Sequence, residues 1–105
     1  MWIRSAFFEG PPAQENAAAF RDAIEREVAP AIACLDGVRD VETLWPRAIE
    51  DRNDDMLCQM LVHFDDESGI ARMMASEGRA DVRAKVAELT KVMEIRISHI
   101  NYEVT

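Results

Sequence analysis

The chain is poor in positive charge. Twelve Lys and Arg stand against twenty Asp and Glu, a formal net charge of -8 in 105 residues. Phosphate backbones and anionic bilayers are held by basic surfaces, so neither nucleic acid nor membrane is an expected partner. No stretch approaches the roughly 18 consecutive apolar residues of a membrane span. The opening "MWIRSAFFEG" breaks its short apolar run with Arg4 and lacks a signal-peptide core. The expected location is cytoplasmic.

Cysteine, histidine and glycine are scarce as well. Cys34 and Cys58 lie far apart, which in a non-secretory chain reads as two buried free thiols rather than a staple. There is no Cys-x-x-Cys and no pair of histidines at helical spacing, which argues against a structural zinc or zincin site. No Gly-rich loop cradles a phosphate, and no Gly-x-Ser-x-Gly elbow presents a nucleophile. "DRNDD" (Asp51 to Asp55) opens like a calcium loop. Met56 stands where the loop needs glycine and Val62 where it needs a bidentate glutamate, so it reads as a solvated acidic turn. A haem would have only His63 or His99 as axial ligand. No metal and no cofactor is expected.

What remains is an ordinary globular composition, 49% hydrophobic and 30% charged, in residues 1–105 read as one domain. Trp2 to Phe8 is β-like and stops at Glu9-Gly10-Pro11-Pro12. A helix is expected over roughly 14–35, with Ala17, Phe20, Ile24, Val28, Ala31 and Leu35 on one face. Arg21/Glu25 and Asp22/Arg26 are spaced for i,i+4 pairing on the other. Pro30 should kink this helix or begin a fresh final turn, and Gly37 should supply a left-handed residue beyond its end. Strands are expected over 38–49, at an edge because of Pro46, and over 56–64, central because both faces are apolar. Asp65 or Asp66 caps a short helix. A second helical piece follows from Arg79 to about Lys91, with Val82, Val86 and Leu89 inward and Asp81/Lys85 outward. The stretch 93–104 alternates as a last strand.

The order β-α-β-β-α-β gives an α+β, ferredoxin-like fold: a four-stranded antiparallel sheet ordered 4-1-3-2 with helices on one face. The strands nevertheless carry large apolar residues on both faces, and the chain has nothing left to cover the second. A second copy of the sheet would cover it, so a homodimer is expected.

"EVAPAIACLDGVRDVE" and "MMASEGRADVRAKVAEL", in this element order, resemble the EthD-like branch of the dimeric α/β-barrel superfamily, whose members are named for an ethyl tert-butyl ether degradation protein. Relatives carry a His-Ala-Pro-Leu-like turn where this chain has Val28-Ala29-Pro30-Ala31, and a Leu-Pro-Gly turn where it has Leu35-Asp36-Gly37. The resemblance implies two sheets joined into a barrel across a twofold axis, with pockets between helices and sheet. It implies no reaction, since the superfamily includes cofactor-independent monooxygenases, isomerases, decarboxylases, haem enzymes and proteins without known activity. Relatives often carry histidine where this chain has Val28, and no catalytic role is carried over to that position.

His63 and His99 are the candidate catalytic residues. Strands three and four flank strand one at about 9.5 Å from each other, so both could reach one ligand if they point the same way. As a base or polar anchor they would suit a phenol- or quinone-like molecule; otherwise they are two unrelated half-buried histidines. Trp2, Arg4, Trp45 and Tyr102 are candidate ligand-binding residues, with core or interface packing as the other reading. Tyr102 and Asn101 are neighbours and must face opposite ways. The methionines at 56, 60, 73, 74 and 93 either line a cavity for an irregular apolar ligand or fill core gaps. The expected protein is an EthD-like dimer of unassigned activity that binds a small apolar or aromatic molecule. The alternative is a cofactor-independent monooxygenase or isomerase acting on an aromatic or polyketide-like substrate.

Overall fold

A computed structural model describes residues 1–105. In chain order the elements are β1 (Trp2–Glu9), α1 (Ala17–Ala23), a π-helical turn (Ile24–Val28), α2 (Ala29–Ala33), β2 (Asp40–Leu44), β3 (Cys58–Phe64), α3 (Glu67–Met74), α4 (Arg79–Thr90) and β4 (Arg96–Glu103). The sheet is antiparallel throughout, in the order β2-β3-β1-β4. That is the expected 4-1-3-2 read from the other edge. β3 is central and β2 lies at an edge. β2 is shorter than its alternation suggests: it stops at Leu44, two residues before Pro46, which cannot donate to a ladder.

Pro30 shapes the first helical region. It has no N–H to offer the Arg26 carbonyl, and its ring crowds that carbonyl. The turn ahead widens: the Ala29 N–H reaches back five residues to the Ile24 carbonyl, and Pro30 falls in the first turn of α2. The helix is thus three joined segments ending at Ala33. Gly37 follows in a left-handed conformation, φ +83°. A Cβ there would sit 2.4 Å from the Gly69 carbonyl oxygen, so this glycine lets the α2–β2 turn close against α3. Asp66 caps α3 by accepting the Gly69 N–H at 3.2 Å.

All four helices lie on one face. The larger core cluster joins Phe8, Leu57, Cys58 and Met60 to Phe20, Ile24 and Val28. A smaller one gathers Val62 and Phe64 with Leu35, Ile70 and Met73. Outside this core, Arg21–Glu25 (3.1 Å) and Arg26–Asp22 (2.8 Å) pair as their spacing suggests. Lys85 does not pair with Asp81; its ammonium reaches Glu27 at 3.0 Å and ties α4 to the π turn.

The opposite sheet face is formed by Ile3, Ser5 and Phe7 of β1, Gln59, Leu61 and His63 of β3, Ile100 and Tyr102 of β4, and Glu42 and Leu44 of β2. No helix packs on it. Leu44, Ile100 and Tyr102 are 40%, 47% and 42% exposed, so a large apolar strip faces water on a single copy.

Candidate functional site

The site follows from where α4 rests. It packs mainly on α1, the π turn and α2 rather than on β4, so the helix layer does not close over the β1–β4 half of the sheet. The gap is a cavity of about 430 Å³. Its floor is made by buried residues, among them Phe8, Val28, Met60, Val62 and Met73. One wall is a single stripe of α4: Arg79, Val82, Arg83, Val86, Ala87 and Thr90, the i, i+3, i+4, i+7 pattern of one helix face. The β4 side is Ile97 and His99. Exposed Arg83, Ala87, Ile97 and His99 mark the mouth; half-buried Arg4 and Arg79 lie further in.

The polar groups of this cavity are nearly all cationic or neutral donors. The Arg4 guanidinium donates to Asn101 Oδ1 at 3.1 Å, directly across the β1–β4 pair. Burial, and then Arg79 nearby, hold its pKa below the usual arginine range. His99 is likewise lowered, first by desolvation and then by the positive charges of Arg4 and Arg79, both of which disfavour the imidazolium. The Thr90 hydroxyl is committed to the Val86 carbonyl at 2.9 Å.

The two histidines are not brought together. His99 is paired with Ala6 and His63 with Ile3, and successive β1 residues alternate between faces. His99 therefore faces the helices and His63 the open face, where its Nε2 lies 2.6 Å from Glu42 Oε1. One ligand held between both within a single chain is ruled out by the pleat. Tyr102 shares the row of Ile3 and His63 and is also on the open face, opposite in direction to Asn101. Trp45 lies outside the cavity. It packs edge-on to Phe20 with ring centroids 6.3 Å apart, under the Arg21 guanidinium at 4.7 Å, and its indole N–H is buried without a protein acceptor. Trp2 packs on the smaller core cluster. Of the six residues singled out from the sequence, only Arg4 and His99 line the cavity.

Sequence reasoning passed over Arg79 and Arg83. The signal was present, since they extend the Val82/Val86 stripe by three residues. Met60 and Met73 line the cavity as one of their two readings allowed. Both cysteines are free; Cys34 is exposed rather than buried, while burial pushes the Cys58 thiol up to about 12.

No protein-family model matches the sequence, and no curated protein does. Solved structures match the fold along the whole chain. An ethyl tert-butyl ether degradation (EthD) family protein from Bacillus halodurans superposes with a TM-score of 0.80 at 15% identity, covering 100% of this chain and 99% of that one. A dimeric protein of unknown function and ferredoxin-like fold from Bacteroides fragilis gives 0.66 at 10% identity, over 98% and 96%. SnoaB, a cofactor-independent oxygenase from Streptomyces nogalater, gives 0.62 at 16% identity, over 99% and 90%. At these identities the likeness is one of fold. The chain has the ferredoxin-like α+β fold of these proteins, and no helix in it is long and apolar enough to cross a membrane.

Proposed function

We propose that this chain is an EthD-like homodimer whose helix–sheet cavity binds a small apolar or aromatic molecule. The observation that carries the reading is the cavity itself. It has a buried apolar floor, and its few polar groups are gathered along β1, β4 and one stripe of α4, the usual build of a small-molecule site. The exposed apolar strip on the other face and the dimeric neighbour of the same fold support pairing through the sheet. No reaction is assigned. A catalytic reading would rest on His99, the one histidine at the cavity, acting as a base in its neutral form.

The test is binding of a neutral bicyclic aromatic, 2-naphthylmethanol, followed by calorimetry. The expected result for the native protein is a dissociation constant in the micromolar range, about -8 kcal/mol at 1 μM. Val86→Trp, which fills the space from the α4 wall, weakens binding about tenfold or more while the far-UV spectrum is unchanged. Equal affinity in the variant would place the molecule elsewhere and refute the reading.

A further inference from the structure

We infer that the molecule taken by this cavity carries an anionic oxygen group, of carboxylate type, on its apolar body. The inference rests on the cavity reading above and adds the charge of the ligand. The chain is strongly acidic overall, yet three of its guanidiniums (Arg4, Arg79 and Arg83) line this one space, and no lining residue is a carboxylate. None of the three takes part in any of the ion pairs of the structure. The sole side-chain bond among them is that of Arg4 to the neutral Asn101 amide, which leaves most of its five donors free.

The arrangement is unfavourable for an empty protein in three separate ways. Arg79 and Arg83 are like charges one helical turn apart, a repulsive spacing. Arg79 is the first residue of α4, where the helix dipole disfavours a cation. The acidic residue that would offset it in that turn, Asp81, lines a neighbouring groove with Glu27 and Lys85 instead. Arg4, across the cavity on β1, adds a third positive charge. An anion seated among the three converts each of these repulsions into an attraction, and guanidinium forks match a carboxylate in particular. The greasy floor of Phe8, Val28, Met60 and Val62 requires that the rest of the ligand be apolar, which excludes a small inorganic anion as its natural occupant.

The test compares 2-naphthoate with its neutral isostere 2-naphthylmethanol on the full chain by calorimetry at low salt. The expected result is that naphthoate binds about tenfold tighter or more, as one charge-assisted hydrogen bond would give. That preference should shrink with added salt and fall severalfold in the Arg79→Gln/Arg83→Gln double variant, where Arg4 alone remains. The same variant, without any ligand, should melt at or above the native midpoint, because repulsion has been removed. Equal binding of the two probes overturns the inference and leaves the cavity reading standing. A preference undiminished in the double variant also overturns it. If neither probe binds, the cavity reading fails and the inference falls with it.

Discussion

At the scale of single residues, the lowered pKa of His99 predicts a pH response at the cavity. Desolvation and the charges of Arg4 and Arg79 lower its pKa below 6.5. The unfolded chain therefore binds a proton there that the native protein declines, so stability rises with pH through the window just below 6.5 and is lost as pH falls through it. Urea midpoints of the native protein and His99→Gln, compared from about pH 7.5 down to about pH 5.5, should converge as pH falls. Parallel curves would remove His99 from the positive environment described. How much of this was legible differs by residue. Alternation along β4 placed His99 with Ile97 and Asn101 and against Tyr102. It could not relate His99 to His63, because the facing of β3 against β4 depends on cross-strand register through β1, which short-range pattern does not encode. Arg79 and Arg83 were legible in principle, but two charges on an apolar stripe are ordinarily read as the edge of a solvated face.

At the scale of elements, Pro30 and the π turn set the part of the cavity lining that Val28 and Ile32 provide. The sequence signalled a disturbance at Pro30 without distinguishing a kink from a new turn, since both relieve the same clash. In the structure the widened turn absorbs the missing donor, so the proline sits unstrained in the first turn of α2. Pro30→Ala should then change unfolding free energy by less than about 1 kcal/mol. A proline strained inside a regular helix would instead yield a gain of about 3 kcal/mol on replacement. Chemical denaturation separates the two. The ends of β2 and of the first helix were less legible than their existence, because β-like composition continues to Ile49 while Pro46 stops the ladder.

At the scale of the whole molecule, element order was sufficient for the sheet topology, since right-handed crossovers leave little choice. A pocket between helices and sheet was implied by the resemblance, but its place and lining were not legible: they arise from the seat of α4 on the helices, a packing detail with no local signature. The open face was. Apolar residues on both alternations of the strands marked a second surface in need of cover, and Leu44, Ile100 and Tyr102 stand exposed on it. A second copy would bury this face without further chain, and interface cores of that kind reach the density of protein interiors. The most direct measurement is the mass in solution, by sedimentation at micromolar concentration. The account predicts a dimer of two 11.9 kDa chains, dissociating when Ile100→Lys places a charge on the open face. A native protein that sediments as a stable monomer would contradict it.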